Sequence, residues 1–412
     1  MSMARRVVLV LLAAAGIGAA CASGAAAPPA GETTILVSID GFRWEYLSRG
    51  LTPTLAALAA TGVSAPMRPA FPSVTWPNHF TLLTGLYPDR HGIVDNHFED
   101  RTLGKVFDLL DPEGTRDPAW WTGGVPIWAS AQAQGIPVAS MFWLVLGTDA
   151  QGRPPARSVL YQPRARMQDE PAQVLDWLDL PEPERPRLIL LYFYDVDRVA
   201  HEFGVHSDEL AAALRDVDAA LGTLVEGLRT RRLFDATNLI VVSDHGMTEA
   251  DREHVVALDD LVDLGAIRIV STGAVATLEP RPGFERAVAR ALLGRHGHVR
   301  CWRRERMPRR FHYGTNPRIA PIVCLGDLGW EVTTRSGAAQ WPGKSRADHG
   351  FDPDAPDMAA LFVAHGPGFR AGVRGRKFPN VDIYPMVALL SGVKPEKNDG
   401  RLADVRAFLK RP

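Results

Sequence analysis

The chain has little cysteine and no excess of charge of either sign. Only three of its 412 residues are cysteine, and 46 Lys and Arg nearly cancel 47 Asp and Glu. A balanced charge gives no reason to expect a protein that wraps nucleic acid or lies on a membrane surface. No internal repeat or long linker appears after residue 32. The remaining sequence has ample apolar content and is long enough for one large domain or two ordinary ones.

The N-terminal residues differ from the rest. Two arginines precede an apolar run over residues 7–20, which is short for a bilayer span, and an Ala/Pro-rich stretch follows. This pattern predicts a signal peptide over residues 1–20, a flexible tail over residues 21–31, and export. The stretch "GAAC" resembles a bacterial lipoprotein cleavage site at Cys21, but Gly18 stands where a larger aliphatic residue is usual. Location in the periplasm and location as an outer-membrane lipoprotein both stay open, and membrane contact is expected only through such a lipid anchor.

Two further cysteines, Cys301 and Cys324, flank a segment with the pattern of a hairpin. In an oxidising compartment an even pair can form a disulfide. The sequence supplies no distance between them, so a bridge and two free buried thiols are both open.

Strand-like and helix-like runs alternate along the chain, which predicts an α/β fold with a largely parallel central sheet. Three continuous apolar runs, typical of buried parallel strands, lead into polar residues. "TTILVSID" ends at Asp40, "RLILLYFYDVD" ends at Asp197, and "NLIVVSDHG" leads to Asp244 and His245. "MAALFVAHGPG" predicts a further strand of this kind. Helices are predicted over residues 54–60, 171–178 and 207–230.

Metal-binding side chains collect at the predicted strand ends. Parallel strands have their carboxyl ends along one edge of the sheet, and ligands bind outside that edge. Asp197 and His201 are four residues apart, one helical turn, so both can reach one ion. "RADHGFD" adds His349. Each residue alone is weak evidence, but six Asp and His groups suggest two ions, each with positions open for a substrate. The six are Asp40, Asp197, His201, Asp244, His245 and His349.

The stretch "FPSVTWPNHF", residues 71–80, contains Thr75 immediately before a predicted helix. Pro77 suits the first turn of a helix, and the N–H groups at a helix N-terminus attract phosphate. Thr75 can therefore act as a helix cap, as a nucleophile, or as both.

Taken together, these motifs resemble the nucleotide pyrophosphatase/phosphodiesterase family, bacterial type, within the alkaline phosphatase superfamily. The block "TWPNH", "TGLYP", "HGIVDN" is highly specific, and the matches occur in the family's order over nearly all of the chain from residue 33 onward. The other matching stretches are "ILVSIDGFRWEYL", "WWTGGVPIWASA", "WLDLPEPERP", "DVDRVAHEFG", "VVSDHGM", "HGFD" and "FPNVDIYP".

The resemblance implies an alkaline phosphatase-like α/β/α sandwich, with residues 32–412 as a single catalytic domain. It also implies two Zn²⁺ ions, a nucleophile and a donor to a phosphate oxygen, Asn96. One ion would be held by Asp40, Thr75, Asp244 and His245, and the other by Asp197, His201 and His349. Thr75 would attack phosphorus, and water would then cleave the phosphothreonine. The expected partners are small phosphodiesters or nucleotides, since no nucleic-acid-binding module is evident.

The residue after Thr75 indicates which class of phosphate ester the protein binds. Trp76 follows it, and no arginine lies beside it, so an apolar wall would favour a diester over a monoester. By resemblance, Trp76 and Tyr161 would sandwich a nucleobase, and the products would be nucleoside 5′-monophosphates. Ordinary core packing is the alternative for both rings.

The match also has gaps. The loop "FWLVLGTDAQGRPPARS" lacks the family's Trp-Pro-Gly-Ser, and Ala200 replaces a usual glycine. Hydrolysis of phosphocholine or lysophospholipid head groups, and phosphomonoester hydrolysis, therefore remain alternatives. An inactive binding protein is a further alternative, although no expected ligand is missing.

Overall fold

The computed structural model describes residues 32–143, 149–162, 166–251, 253–340 and 347–410. The expected signal peptide, the tail with Cys21 and part of the loop after Trp143 lie outside these residues. Within the described ranges, no helix is both long enough and apolar enough to span a bilayer.

Strands and short helices alternate along the chain, as the sequence predicts. The strands are β1 Thr33–Ile39, β2 Val63–Arg68, β3 His97–Asp100, β4 Lys105–Asp108, β5 Val138–Met141, β6 Arg157–Val159, β7 Leu188–Phe193, β8 Thr237–Val242, β9 Thr248–Glu249, β10 Val255–Ala257, β11 Ile267–Ser271, β12 Val275–Pro280, β13 Gly294–His296, β14 Val299–Arg303, β15 Ile322–Gly326, β16 Glu331–Thr333, β17 Ala347–Asp348, β18 Ala360–His365, β19 Val373–Arg374 and β20 Phe378–Pro379. The α-helices are α1 Pro53–Thr61, α2 Thr75–Thr84, α3 Pro88–His91, α4 Ile127–Ala133, α5 Glu170–Leu178, α6 Asp195–Phe203, α7 Asp208–Thr230, α8 Glu285–Leu292, α9 Arg335–Ala339, α10 Ile383–Ser391 and α11 Leu402–Val405.

A mixed, mostly parallel sheet forms the centre of the fold. Its strand order is β19-β2-β18-β8-β1-β7-β5-β6, and β20 pairs with β2. The strands from β8 to β6 are parallel neighbours. Every residue of β1, β7 and β8 is buried, which explains why these strands are continuous apolar runs in the sequence. The α/β prediction with a largely parallel sheet is therefore confirmed.

The direction of one predicted strand is wrong. The strand in "MAALFVAHGPG" is β18, which runs antiparallel to both β2 and β8. Its apolar residues indicate burial, but burial does not determine strand direction. The chain enters β18 from the edge where β8 ends, since Ser243 donates its N–H to the carbonyl of Leu361 at 3.1 Å.

Helices pack on the sheet in two groups. Helix α7 contacts α1 and α5, which pack on the sheet, and helix α2 contacts α4 and α10, which also pack on it. This arrangement agrees with an α/β/α sandwich. The three predicted helices correspond to α1, α5 and α7. Ser207 caps α7 by accepting the N–H of Leu210 at 3.1 Å.

A smaller antiparallel sheet has its own hydrophobic cluster. Its strand order is β11-β12-β15-β14-β13, and α8 contributes Val288 and Leu292 to the buried cluster. Cys301 of β14 and Cys324 of β15 are direct cross-strand partners joined by a disulfide. Of the two alternatives for these cysteines, the bridge is therefore the one present.

Candidate active site

The central sheet brings distant polar residues to one edge. Asp40 directly follows β1, and Asp244 and His245 follow β8 after a single serine. Helix α6, which begins two residues after β7, carries Asp197 and His201. Because β1 lies between β7 and β8 and is parallel to both, these residues lie at the same edge.

A glycine allows the close approach of two of these segments. Gly41 has a φ of +64°, and a Cβ on it would lie 3.0 Å from side-chain and backbone atoms of Asp197. Its N–H donates to Oδ1 of Asp244 at 3.1 Å. A residue with a side chain would be strained here and would displace Asp197.

Helix α2 starts at this edge with Thr75 as its first residue. The loop before it is held by Asn78, whose amide donates to the carbonyls of Pro72 at 2.9 Å and Val74 at 2.8 Å. Val74 is extended, so the helix begins at Thr75. The Thr75 hydroxyl oxygen lies 3.2 Å from Nε2 of His245.

Asp40, Asp244 and His245 form one group able to hold a cation. Nε2 of His245 lies 3.0 Å from Oδ2 of Asp244 and 3.5 Å from Oδ1 of Asp40. All three side chains are almost fully buried. Thr75 borders this group through its contact with His245.

The second predicted ligand set also comes together. Asp197 lies between the two histidines, with Oδ2 at 3.5 Å from Nε2 of His201 and Oδ1 at 3.6 Å from Nε2 of His349. The chain offers two overlapping triads here, one of Asp197, His245 and His349 and the other of His201, Asp348 and His349. Asp348 is a candidate that the sequence analysis did not include, although it immediately precedes His349.

Backbone carbonyls orient all three histidines in the same way. Nδ1 of His201 lies 2.8 Å from the carbonyl of Ala347, and Nδ1 of His349 lies 2.9 Å from that of Ser73. Nδ1 of His245 lies 2.9 Å from the carbonyl of Gly246. A carbonyl only accepts, so each Nδ1 carries the hydrogen and each neutral ring has its Nε2 lone pair toward the carboxylates.

The carboxylates are left with uncompensated oxygens. Oδ1 of Asp40, Oδ1 of Asp197 and Oδ2 of Asp244 are buried and have no hydrogen-bond partner among the described residues. The lone pair of His245 Nε2 also faces Oδ2 of Asp244. Buried carboxylates without donors are costly unless a cation is present, so this donor set fits metal ions.

Acid–base shifts reflect the same crowding. Burial, together with the Asp244 and Asp197 carboxylates, raises the pKa of Asp40 well above its usual range. Burial also raises the pKa of Asp197, even though His201 and His245 oppose it. Burial would raise the pKa of Asp244 as well, but His245 and His79 outweigh it and lower that pKa. The raised pKa values of Asp40 and Asp197 show that burial of these carboxylates is not offset by enough positive charge.

Asn96 is joined to the helix that carries Thr75. Its side-chain oxygen accepts the N–H of Trp76 at 2.9 Å, so its NH₂ group is the end left to donate to a ligand. The N–H of Asn96 donates to Asp95 at 2.8 Å, and Asp95 accepts the hydroxyl of Ser271 at 3.1 Å. The small sheet thus supports the loop that bears Asn96.

A cavity of about 510 Å³ opens onto these groups. Trp76 and Tyr161, the two rings that the resemblance implies for a nucleobase, both line it. Trp76 is only 8% exposed, because it packs against Trp121 with ring centroids 6.0 Å apart. Tyr161 packs against the ring of Tyr194. Further lining residues that the sequence analysis missed are Leu109, Leu110, Pro112, Thr115, Arg116, Trp143, Leu160, Tyr192 and Tyr194.

Two side chains that contact the proposed metal-binding residues were also not predicted, Tyr192 and His79. The Tyr192 hydroxyl donates to Oδ2 of Asp40 at 2.5 Å, and His79 lies 3.4 Å from Oδ2 of Asp244. A signal was available for each of them. Tyr192 closes an apolar run five residues before Asp197, and His79 follows Thr75 by one helical turn.

Comparisons with known proteins agree with this geometry. The model of the type I phosphodiesterase / nucleotide pyrophosphatase family matches residues 34–352. The chain is 35% identical over 382 residues to an uncharacterized pyrophosphatase/phosphodiesterase of Schizosaccharomyces pombe, covering 90% of this chain and 79% of that one. It is 33% identical over 405 residues to human ectonucleotide pyrophosphatase/phosphodiesterase family member 1, covering 95% of this chain but only 43% of that protein.

Solved structures give the same result. Murine ectonucleotide pyrophosphatase/phosphodiesterase 5 superposes with a TM-score of 0.86 at 30% identity, covering 92% of this chain and 100% of that chain. An inactive threonine-to-alanine variant of that protein, in complex with AMP, gives a TM-score of 0.85, also at 30% identity and with the same coverage of both chains. The chain therefore belongs to the type I phosphodiesterase / nucleotide pyrophosphatase family and is an enzyme of the phosphodiesterase class.

Proposed function

We propose that the protein hydrolyses nucleotides and nucleotide esters to nucleoside 5′-monophosphates, with Thr75 as nucleophile and two Zn²⁺ ions as cofactors. One observation carries this proposal. The Thr75 hydroxyl lies at the start of helix α2, 3.2 Å from His245, beside the buried cluster of Asp and His side chains. A hydroxyl without a nearby base or cation is a poor nucleophile at neutral pH, and this location supplies both anion-binding N–H groups and cation ligands.

The ligand chemistry supports zinc. Mixed Asp and His donors suit Zn²⁺, and three protein ligands per ion leave a position for substrate. We assign Asp40, Thr75, Asp244 and His245 to one ion, and Asp197, His201 and His349 to the other. When bound, such cations lower the pKa of a coordinated hydroxyl and offset charge on phosphoryl oxygens.

In the proposed reaction the Thr75 oxygen attacks phosphorus, and the bond to the leaving alcohol or nucleoside phosphate breaks. The leaving oxygen takes up a proton, and Thr75 is left as a phosphothreonine. Asn96 donates its NH₂ group to a non-bridging oxygen, which gains charge as the new bond forms. Water then attacks phosphorus, releases the nucleoside monophosphate and restores the Thr75 hydroxyl.

The cavity walls support a nucleotide diester. Trp76 and Tyr161 both line the cavity, and aromatic faces stack on any base. The residue that follows Thr75 is Trp76 and not an arginine, which favours a diester over the more highly charged monoester. The inactive variant of the murine protein, whose structure matches this chain, is in complex with AMP, and this supports a nucleotide as the ligand.

A direct comparison of two substrates tests the proposal. We expect kcat/KM for thymidine 5′-(p-nitrophenyl phosphate) to exceed that for p-nitrophenyl phosphate by about 100-fold or more, a difference of about 2.7 kcal/mol in the barrier. Both substrates release the same chromophore, so the leaving group is controlled. A preference for the monoester would overturn the specificity and indicate a phosphomonoesterase with the same nucleophile.

One observation favours a second candidate, the hydrolysis of phosphocholine or lysophospholipid head groups. Leu109, Leu110 and Leu160 line the cavity and are 38%, 81% and 43% exposed. Exposed apolar side chains beside a reaction site suit an amphiphilic substrate. Faster turnover of p-nitrophenylphosphocholine than of the thymidine ester, measured on one preparation, would select this candidate.

We further propose that residues 32–412 are the catalytic unit and that residues 1–31 serve export. A protein that starts at residue 32 is then expected to keep full turnover of the thymidine ester. Loss of activity in a folded protein of this length would contradict the assignment.

A further inference from the structure

His79 is a fully buried histidine on helix α2, one turn after Thr75. It belongs to neither proposed ligand set. Its Nδ1 lies 2.9 Å from the carbonyl of Thr75 and 3.4 Å from Oδ2 of Asp244. Its Nε2 lies 3.0 Å from the hydroxyl oxygen of Ser38. One ring thus touches the helix of the nucleophile, the segment after β8, and strand β1.

The partners determine which nitrogen carries the hydrogen. The Thr75 carbonyl and the Asp244 carboxylate both accept, so Nδ1 of His79 must be the donor. Nε2 of the neutral ring then accepts the hydrogen of the Ser38 hydroxyl. Asp244 therefore accepts the N–H of Gly41 at Oδ1, while its Oδ2 lies 3.4 Å from the His79 ring and has no hydrogen-bond partner among the described residues.

Aromatic neighbours hold the ring in this orientation. The edges of Trp143 and Tyr192 meet it at centroid distances of 5.6 Å and 5.1 Å, both nearly perpendicular. Rotation of the His79 ring would require these side chains to move, and Tyr192 is itself bonded to Asp40. A histidine needed only to fill space would not require bonds at both nitrogens, since an apolar ring would fill the same place.

We infer that His79 is a positioning residue: its Nδ1–H bonds the Thr75 carbonyl, its Nε2 accepts from Ser38, and its ring lies 3.4 Å from the Asp244 carboxylate, so that the first turn of helix α2 is held beside Asp244. This arrangement lets the Thr75 hydroxyl and an Asp244 oxygen reach the same cation. The inference rests on the proposed function, because the cation is part of it. Groups that orient metal ligands in this way commonly change metal affinity or activity by about 10- to 100-fold when removed.

The test uses three variants of His79 in the full chain, with Zn²⁺ affinity measured by competition with a chromophoric chelator. In His79→Asn the side-chain amide nitrogen can occupy the position of Nδ1. In His79→Gln the longer side chain places this nitrogen at the position of Nε2. His79→Phe keeps only the ring. We expect His79→Asn to bind Zn²⁺ within a few-fold of the unaltered protein, and the other two to lose about 10- to 100-fold of affinity at one site. We also expect kcat for the thymidine ester to fall in those two while KM stays similar.

His91 provides a matched control. It is also fully buried and packs on helix α2, with Nε2 at 3.0 Å from the Thr81 hydroxyl and Nδ1 accepting the N–H of Ile93 at 3.2 Å. His91→Asn is expected to lower the melting temperature but to leave Zn²⁺ affinity unchanged.

The outcomes separate the inference from the proposed function. Failure of the unaltered protein to bind two Zn²⁺ ions would overturn the proposed function, and the inference with it. If two ions bind but all three His79 variants keep full affinity, only the inference is overturned. Equal losses in the Asn and Gln variants would overturn the role of the Nδ1–H. Should His79→Phe fail to fold, the Asn and Gln pair decides, together with Ser38→Ala, which removes the donor to Nε2 and is expected to weaken Zn²⁺ binding several-fold.

Discussion

The hydroxyl oxygen of Thr75 lies 3.2 Å from Nε2 of His245, although 170 residues separate the two in the chain. The contact joins the N-terminus of a helix to the carboxyl end of a central strand. It links the proposed nucleophile directly to a proposed cation ligand. The first prediction follows from it.

Replacing Thr75 separates chemistry from binding. We expect Thr75→Ala to lower kcat by about 10³-fold or more, because the attacking oxygen is gone, while Thr75→Ser keeps a measurable fraction. Rapid quench with a ³²P-labelled substrate should trap a phosphoenzyme in the Ser variant and none in the Ala variant. Full activity of a correctly folded Thr75→Ala protein would rule out the proposed nucleophile.

Removing cations should cost both activity and stability. Without bound cations, burial and the neighbouring Asp244 and Asp197 carboxylates both disfavour the charged form of Asp40 and raise its pKa. Chelation is expected to abolish turnover, and added Zn²⁺ to restore it. A ligand at 100 times its Kd stabilises the folded state by about 2.7 kcal/mol, so the melting temperature should rise with Zn²⁺ concentration. Elemental analysis showing fewer than two ions per active chain would contradict the assignment.

Replacing Tyr161 is the simplest test of base stacking. Stacking on an aromatic ring is worth about 1–3 kcal/mol, so Tyr161→Ala should raise KM for the thymidine ester by about 10-fold or more. Tyr161→Phe keeps the ring and serves as the control. Methyl p-nitrophenyl phosphate has no base, and its turnover should be unchanged in both variants. Equal losses on both substrates would indicate a structural role instead.

Trp76 is expected to behave differently because it is mostly buried. It packs against Trp121 and Phe107, so Trp76→Ala should destabilise the protein by about 3–5 kcal/mol as well as weaken base binding. Chemical denaturation measures the first effect. An unchanged unfolding free energy would show that the indole is not part of the core.

Glu170 is not one of the proposed cation ligands, and it makes the free energy of unfolding depend on pH. It is 5% exposed, Oε2 has no hydrogen-bond partner among the described residues, and burial together with Asp195 raises its pKa to about 9. Between pH 4.5 and pH 9 the folded state therefore holds a proton that the unfolded state has lost, so this group lowers stability as pH rises. Glu170→Gln is expected to stabilise the protein by a few kcal/mol at pH 8.5 and by little at pH 5. Equal melting-temperature gains at both pH values would contradict this account.

The disulfide should matter for stability rather than for turnover. Cys301 and Cys324 are 23 positions apart, and closing a loop of about this size stabilises a protein by about 3 kcal/mol. The double change to alanine is expected to lower the unfolding free energy accordingly. Both cysteines belong to the cluster of the small sheet and do not line the cavity, so kcat/KM should stay within about twofold. Reduction of the unaltered protein is the control and should match the variant.

The sequence predicted a site residue well where that residue both ends a strand-like apolar run and has a side chain that can bind a metal ion. Asp40, Asp197 and Asp244 end or follow apolar runs, and the rule for parallel strands brings such ends together. Helices α1, α5 and α7 were predictable from local signals, since α1 and α5 have a proline in the first turn and Ser207 caps α7. Strand β2 carries no comparable signal, because Pro66 interrupts a short run.

Contacts between distant segments were beyond the sequence. Tyr192 bonds to Asp40 across 152 positions, and His79 bonds to Ser38 across 41. Their positions near Asp197 and Thr75 are visible in the sequence, but the partners that they bond are not. The cavity wall formed by Leu109 and Leu110 follows the short hairpin of β3 and β4, which has no strong periodicity. Such residues are identified only when the strands are assembled.

The reversed direction of β18 places a proposed ligand before its strand instead of after it. Asp40, Asp197, Asp244 and His245 come after their strands, whereas His349 comes before β18, eleven positions ahead of its first residue. Because β18 runs antiparallel to β8, it begins at the edge where β8 ends, so the segment that leads into β18 brings His349 to the cluster. A chain that ends before residue 349 would keep the acidic residues of the cluster without this histidine.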